Sequence, residues 1–387
     1  MFQRLPVLIR SPTVAPGDMN TLRSEQRLPQ PHERGLWTPL ERFASHLDVR
    51  EEWQLLAGRA GNVFLTWEWA DAWLSHLAPA ARVEIGLARG PDGQPRVLLP
   101  LYVARERPLR LLRFVGAGPA DELGPICAQD DGQLAAALLE EKVAALLDGH
   151  GLFLAERLGG KNPAGWALSG IRLRHNATPV IRLAGCSFDD YLASRSRNFR
   201  SQLRRAERRL AREHRLSYRV TQDPDDLERD LTTLMRLHRM RWQKGSKTFT
   251  GPREAFQRDF ARRAFDQGWL RLWTMELDGQ PVACWYGLRY GGADYYYQAG
   301  RDPRLGPLKV GFVLLGHTIR SACEDGMQEY RFGLGDEPYK SRFTELDPGL
   351  NTFAVPFGAG GRLALRSLQV GLRARDRVRR VNALRGR

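Results

Sequence analysis

Apolar residues follow helical and strand spacing in turn along this chain, and the same order of elements occurs twice. The first series begins at residues 66–77, where tryptophans recur at helical spacing behind Thr66, a residue suited to cap a helix N-terminus. Two apolar runs around a Pro-Asp-Gly turn then predict a hairpin. The hairpin strands, a helix and a last strand are predicted at 82–89, 96–103, 133–147 and 152–156.

The second series has the same order with different side chains. Helices are predicted at 226–242 and 253–266, and three strands follow, joined by turns at Asp278-Gly279 and Gly291-Gly292. The three strands, a further helix and a last strand are predicted at 270–277, 282–290, 294–299, 310–324 and 328–332. The predicted fold class is therefore α+β, with two similar halves, each a mixed, largely antiparallel sheet flanked by helices.

Four segments are predicted from this order. Residues 1–35 hold five prolines among polar residues, and we expect a disordered leader there. The two halves are predicted at 36–180 and 181–361, and an Arg-rich tail at 362–387. No apolar run reaches the length of a membrane span, and the N-terminus lacks the apolar core of a secretory signal, so a cytoplasmic location is expected.

The charge of the chain narrows the classes of partner. The net charge is +15, and six of the 59 basic residues are lysines, so the excess is arginine. Residues 195–215 predict an amphipathic helix with nine arginines around an apolar stripe. Such a helix is either an ordinary solvated face or a site for phosphates of a cofactor, tRNA or lipid. Cysteine and histidine spacing predicts no metal site.

Two segments could carry chemistry. The loop before the helix at 310–324 ends in Lys309-Val310-Gly311, where free backbone amides could hold a pyrophosphate. The second segment, 330–343, places Asp336, Glu337, Tyr339 and Lys340 after two glycines. Carboxylate, phenol and ammonium together could supply a base, a proton donor and a charge clamp. The alternatives are an ordinary loop and a salt-bridged surface turn.

Several motifs in order resemble one family. They are Ser194–Arg200, Leu237–Trp242, Leu277–Ala283, Tyr295–Gly300, Gly311 and Gly335–Lys340, with Thr66–Leu77 in the first half. Together they resemble the GNAT-like acetyltransferase domain of the CelD/BcsL type, which is similar in turn to the Fem-type aminoacyl transferases. The sequence differs from that of many relatives in two places. Lys309-Val310-Gly311 replaces their Ser-Pro-Gly, and Arg331 replaces an aspartate.

The resemblance implies two tandem GNAT-like halves, of which the second transfers an acetyl or acyl group from acetyl-CoA. Glu337 or Asp336 would be the general base, and Tyr339 or Lys340 would steady the oxyanion. The expected cofactor-binding residues are Gln298, Lys309, Val310, Gly311 and Phe312. The expected substrate-binding residues are Arg200, Trp242 and Tyr297. The implied acceptor is a saccharide or a cell-envelope precursor of the exopolysaccharide kind.

Two rival functions remain open at this level. One is Fem-like transfer of an amino acid from aminoacyl-tRNA to a peptidoglycan-type precursor. The other is a non-catalytic basic module that binds nucleic acid or a membrane surface. We also expect the Arg-rich tail to bring the protein to the inner face of an anionic membrane.

Overall fold

Two sheets organise the chain, and helices cover both. The computed structural model describes residues 39–105, 109–159, 170–242 and 245–385, so the predicted leader at 1–35 lies outside the described residues. The first elements are β1 (Glu41–Phe43), α1 (Arg50–Ala60), α2 (Trp67–Leu77), β2 (Arg82–Arg89), β3 (Pro95–Arg105), β4 (Arg110–Phe114), β5 (Ile126–Cys127), α3 (Gly132–Leu147), β6 (Gly151–Gly159) and β7 (Ile171–Asn176).

The remaining elements begin close to the predicted boundary between the halves. They are β8 (Val180–Arg182), α4 (Phe188–Ala193), α5 (Arg197–Glu213), β9 (Leu216–Val220), α6 (Pro224–Trp242), α7 (Pro252–Asp266), β10 (Leu270–Leu277), β11 (Gln280–Tyr290), β12 (Ala293–Arg301), α8 (Val310–Glu324), β13 (Glu329–Arg331), β14 (Leu350–Phe357) and α9 (Gly358–Arg385). The α+β class with two mixed, mostly antiparallel sheets is confirmed.

The first sheet has the order β1-β2-β3-β4-β6-β14-β7, with β5 paired to β3. The second has the order β8-β13-β12-β11-β10-β9. Each sheet holds one parallel pair, β4 with β6 and β12 with β13, and a helix connects the two strands of each pair. Each half therefore has a three-strand antiparallel part that continues through a helix into a parallel strand.

A strand that follows the strands of the second sheet in sequence, β14, belongs to the first sheet. Residues 350–357 fall in the range predicted for the second half, yet as β14 they lie between β6 and β7 of the first sheet. In this position β14 satisfies the backbone groups of two first-half strands. The predicted boundary at 180/181 stays a prediction. The tail at 362–387 is helical as far as Arg385, since it continues α9.

Local sequence patterns placed most of the central elements correctly. The helix predicted at 310–324 is α8 residue for residue, and Thr66 caps α2 by accepting a hydrogen bond from the amide of Trp69 at 3.3 Å. The basic helix is α5, whose apolar stripe is buried. The elements that were not predicted are helices α1, α4 and α9 and strands β1, β4, β5, β7, β8, β9 and β14. Among the described residues no helix has the length and apolar character to span a bilayer.

We predict that Gly300→Ala destabilises the protein, because α6 packs directly on β12 at this residue. A Cβ on Gly300 would lie 2.4 Å from the amide nitrogen of His238 and 2.7 Å from the carbonyl carbon of Leu237, and backbone cannot move aside cheaply. The free energy of unfolding should fall by about 3 kcal/mol in urea titrations.

The matched control is Gly58→Ala on α1, where an added Cβ meets nothing within 4 Å. It should be neutral or stabilise the fold by up to about 1 kcal/mol, since alanine is the better helix former. Equal unfolding free energies for the two variants would show that the packing of α6 on β12 is looser than described.

Candidate active site

A cleft opens where two neighbouring strands of the second sheet separate. Strands β12 and β13 pair in parallel only from Ala293 to Tyr295, opposite Glu329 to Arg331. Beyond Tyr295, β12 continues to Arg301 while the chain after β13 turns away. The edge of β12 from Tyr296 onward therefore faces open space instead of a partner strand.

An irregularity in β12 sets which groups face the cleft. Tyr286 of β11 pairs with Gln298, but the next residue, Gly287, pairs with Tyr296, so Tyr297 is an extra residue in β12. Such a bulge redirects the side chains that follow it. As a result Gln298 and Ala299, which are consecutive, are both half-exposed.

His238 of α6 fixes this part of β12 from behind. Its Nδ1 donates to the carbonyl of Ala299 at 3.0 Å, and its Nε2 accepts from the hydroxyl of Ser246 at 3.0 Å. Burial lowers the pKa of His238 to about 4, so the ring is neutral at physiological pH. His238 is thus a packed, hydrogen-bonded side chain.

The first of two pockets in the cleft, the basic pocket, has a volume of about 320 Å³. After β12 a 3-10 turn leads to Lys309, whose φ of 58° lets α8 start abruptly at Val310. The first backbone bonds of α8 come from Phe312 and Val313, so the amides of Val310 and Gly311 are free of the helix ladder. These amides, with the helix dipole, favour an anion.

Four cations line the basic pocket, and none of its described lining residues is acidic. They are Arg241, Arg301, Lys309 and Arg342. Burial, and next the positive charge of Arg241, lower the pKa of Arg301 from its usual value. Gln202 of α5 accepts from Lys309 at 3.3 Å and from Arg342 at 3.0 Å and holds both at the rim. The positive charge of the pocket is not balanced by an acidic side chain among these lining residues, and a ligand anion could balance it.

The second pocket, the polar pocket, has a volume of about 150 Å³ and adjoins the first. Tyr296, Ala299, Tyr339 and Arg241 line both. The polar pocket is otherwise lined mainly by polar groups from both halves of the chain. They include Asp121, Trp242, Gln298, Glu337 and Lys340.

The segment after β13 is built around Lys340. This residue is buried, and its Nζ donates to the carbonyl of Leu334 at 2.6 Å and pairs with Glu337 at 2.9 Å. Lys340 thus cross-links its own loop, and in this way it shapes the wall of the polar pocket. Glu337 lines that pocket with its side chain 45% exposed.

Tyr339 stands between the two pockets. Burial, followed by the neighbouring phenol of Tyr296, raises the pKa of Tyr339 well above its usual value. The phenol of Tyr339 is therefore a neutral hydrogen-bond donor at any physiological pH. A group of this kind can stabilise an oxyanion or protonate a leaving thiolate.

The structure brings most, not all, of the predicted site residues together. Lys309, Gly311 and Phe312 line the basic pocket, whereas the side chain of Val310 is buried and only its amide is free. Gln298, expected at the cofactor, lines the polar pocket instead, because the bulge turns it that way. Trp242, 41% exposed, lines the polar pocket, and its predicted substrate-binding role stays a prediction.

Two predicted residues, Arg200 and Asp336, lie outside both pockets, and a third, Tyr297, is buried at the edge of one. The guanidinium of Arg200 donates to the carbonyl of Ala193 at 3.0 Å, at the end of α4, and Arg200 lines neither pocket. Asp336 is exposed and lines neither pocket. Tyr297 borders the polar pocket, but it is buried, and its hydroxyl accepts from Gln257 at 2.7 Å. The substrate and catalytic roles of these three residues stay predictions.

Sequence reasoning missed Arg241, Arg301 and Arg342 of the basic pocket and Asp121 of the polar pocket. Asp121 comes from the first half, and burial raises its pKa to about 6. One signal for it was Gly333, the first of two glycines after β13, where a Cβ would lie 2.5 Å from Oδ2 of Asp121. Glycine there allows a close approach by some other group.

The first half has no equivalent of the basic pocket in the described residues. The corresponding helix, α3, begins next to Asp130 and Asp131, and Asp131 pairs with Arg96 at 2.5 Å. Acidic residues at this helix start repel phosphate. The start of α3 therefore does not suit an anion in the way that the start of α8 does.

Comparison with known proteins identifies the class of the second half. Residues 197–341 match the family described as the acetyltransferase (GNAT) domain. No sequence among the curated proteins matches the chain. These residues of the second half thus match a GNAT-type acetyltransferase domain, and the finer resemblance to the CelD/BcsL type stays a prediction.

Solved structures share the fold of the whole described chain. FemX superposes with a TM-score of 0.58 at 11% identity, covering 81% of this chain and 97% of FemX. The C-terminal domain of a protein described as a lysylphosphatidylglycerol synthetase from Agrobacterium fabrum gives 0.55 at 12% identity, covering 84% and 97%. L-PGS from Bacillus licheniformis gives 0.50 at 15%, covering 79% and 95%. The two-sheet fold of this chain is therefore shared with these proteins over about four fifths of its length.

The GNAT fold normally uses an acyl-CoA, and the basic pocket suits its phosphates. Among the described residues no group of histidine, cysteine and acidic side chains could hold a metal ion. The pocket offers the ends of two backbone amides and four cations, which match a diphosphate in charge and in hydrogen-bonding capacity.

We predict that Arg342→Met weakens binding of coenzyme A by about tenfold, because hydrogen bonds to charged groups contribute about 1.5–3 kcal/mol. Titration calorimetry with the full chain measures this directly. Arg172→Met, an exposed arginine on β7, is the control and should leave the affinity unchanged. Equal affinities for the two variants would place the phosphates outside the basic pocket.

Proposed function

We propose that this protein transfers an acetyl or other acyl group from acyl-CoA to an amine or hydroxyl of a saccharide or cell-envelope precursor. The observation that carries the proposal is the meeting of the two pockets at Tyr296, Ala299 and Tyr339. One pocket suits the phosphates of a donor, and the other suits a polar acceptor. Acyl transfer needs just such a junction, because the acceptor atom must reach the thioester carbonyl.

The edge of β12 is the proposed place of the thioester. Beyond Tyr295 this edge has no partner strand in the described chain, so its backbone amides are available to the carbonyl oxygen. Hydrogen bonds from fixed amides stabilise the negative charge that develops on this oxygen during attack. The amides of Val310 and Gly311, with Lys309, would hold the diphosphate.

The reaction is direct transfer without a covalent enzyme intermediate. The acceptor nitrogen or oxygen forms a bond to the carbonyl carbon, and the carbon–sulfur bond breaks. The acceptor loses one proton, and the leaving thiolate gains one, for which the neutral phenol of Tyr339 is the donor. Of the two acids that the sequence proposes as base, Glu337 lines the acceptor side and Asp336 does not.

The acceptor side has the features of a saccharide site. Trp242 offers an exposed ring at its rim, and Arg241 lies 4.6 Å from the centre of that ring. Glu337 and Gln298 add a carboxylate and an amide for hydroxyl groups. An aromatic ring with polar neighbours suits a sugar ring, which has one apolar face and many hydroxyls.

A second candidate donor is aminoacyl-tRNA, and one observation favours it. Arg197, Arg205 and Arg208 on α5 are exposed and have no acidic partner among the described residues. Gln202 on the same helix contacts the rim of the basic pocket. A positively charged helix leading away from the pocket suits a polyanion longer than coenzyme A.

The donor is tested by binding of acetyl-CoA and of tRNA to the full chain. We expect saturable binding of acetyl-CoA in calorimetry, unchanged in the double variant Arg205→Met, Arg208→Met, since these arginines lie on α5 outside the pocket. If tRNA binds, acetyl-CoA does not, and the double variant loses tRNA, then the second candidate is correct and the first is wrong.

We propose in addition that the Arg-rich tail contacts anionic membrane surfaces. Residues 374–387 hold six arginines and one acid, and an arginine beside an anionic leaflet contributes about 1 kcal/mol. Deleting these residues should reduce sedimentation with phosphatidylglycerol vesicles, most at low salt. Acetyl-CoA affinity should not change, since the deletion lies outside both pockets. Equal sedimentation of both forms would contradict the proposal.

A further inference from the structure

A loop from the first half enters the cleft of the second half. It comprises residues 115–125, between β4 and β5. Arg157 of β6 holds the loop from within the first half, since its guanidinium donates to the carbonyl of Gly118 at 2.9 Å and also to that of Ala120. On the other side Glu122 pairs with Arg331 of β13 at 3.6 Å. The loop is thus anchored to both halves on either side of Asp121.

Asp121 is one of the residues that line the polar pocket. Its carboxylate accepts from the amide of Leu334, and it lies so near Gly333 that only glycine fits there. Because β13 ends just before these residues, the carboxylate sits where β12 and the chain after β13 separate. This position puts it beside the proposed place of the thioester on β12.

The charged groups around Asp121 come from both halves. Arg157 and Lys340 face it with positive charge, and Glu122 faces it with negative charge. Tyr297 lies on its inner side, and Arg241, Glu337 and Tyr339 share the polar pocket with it. Burial outweighs the two cations and raises the pKa of Asp121 to about 6. A carboxylate of this basicity is still ionised at neutral pH and accepts a proton more readily than an exposed aspartate.

We infer that Asp121 takes the proton of the acceptor, so that the first half supplies a catalytic residue to the active site of the second. This inference rests on the proposed acyl transfer. As the acceptor bonds to the carbonyl carbon, its proton moves to the carboxylate of Asp121. The thiolate released by cleavage of the carbon–sulfur bond is protonated by Tyr339, and solvent exchange then restores both groups.

Geometry favours Asp121 over Glu337 for this step. Glu337 is 45% exposed and engaged with Lys340 at 2.9 Å, so it lies at the outer part of the pocket. Asp121 is half-buried next to Gly333 of the loop after β13, on the side of that loop that faces Tyr296 of β12, and so it lies beside the proposed place of the thioester. The sequence proposed Glu337 or Asp336 as the general base; in this inference Glu337 orients the acceptor instead, and Asp336 lines neither pocket.

The test compares Asp121→Asn with Glu337→Gln in the full chain. Acetyl-CoA is the probe, and its hydrolysis is followed by thiol release between pH 4.5 and 8, because water can take the place of the acceptor. In the wild type the rate should rise with pH through about 6, as Asp121 loses its proton. Asp121→Asn should lower the rate by about 100-fold, with acetyl-CoA affinity unchanged, and should abolish this rise.

Two further measurements separate catalysis from structure. Because the folded state binds the proton of Asp121 more tightly than the unfolded chain, ionised Asp121 costs stability at pH 7, so Asp121→Asn should not lower the melting temperature. Glu337→Gln should reduce the rate by less and keep the rise near pH 6. Asp130→Asn, an exposed carboxylate of the first half, should behave as wild type.

Each other result overturns the inference. If Asp121→Asn keeps both the rate and the pH dependence, Asp121 is not the proton acceptor, while the proposed function stands. If the wild type binds acetyl-CoA without hydrolysing it, Asp121 is again not the base, because a base at this place would activate water. If the wild type does not bind acetyl-CoA, the proposed function is wrong and the inference falls with it.

Discussion

The position of every group in the cleft depends on one aromatic cluster between the halves. Trp69 of α2 is fully buried, and its ring makes edge contacts with Phe256 and Phe260 of α7 at 5.0 and 4.7 Å and with Tyr297 of β12 at 5.7 Å. Pairs of this kind contribute about 0.5–1.5 kcal/mol each beyond the burial of their area. The cluster joins the two sheets into one core, and so it fixes the loop that bears Asp121 relative to β12.

The parts of the fold that could be predicted are those that short segments determine. The apolar period of α8 and the turns of the β10–β12 meander follow from neighbouring residues, and so does the free helix start at Gly311. The place of β14 could not be predicted in this way, since a strand's partners are chosen by burial and pairing across the whole chain. The three arginines of the basic pocket could not be singled out from the sequence either. The chain has 53 arginines, and only the fold shows which of them line a pocket.

The acceptor side of the site could be predicted from neighbouring residues even less well. Asp121 lies in a Pro-Ala-Asp-Glu loop that has no catalytic pattern of its own, and its raised pKa comes from burial beneath residues that follow it by about two hundred positions. Arg331 did stand out, because many relatives of the resembling family have an aspartate there. The structure gives it a use: it pairs with Glu329 at 2.9 Å and with Glu122 of the loop at 3.6 Å.

The position of β14, a late strand that lies in the first sheet, has a consequence for folding during synthesis. In the first sheet β7 has β14 as its only neighbour among the described strands, and β14 also completes β6. A ribosome adding about 5–20 residues per second needs roughly 10–35 s to pass from β7 to β14. Throughout that time β7 of the nascent first half has no partner strand, and β6 has one edge whose backbone groups are unpaired. The second half, whose strands all precede β14, can close its sheet first, although its amino acids are added later.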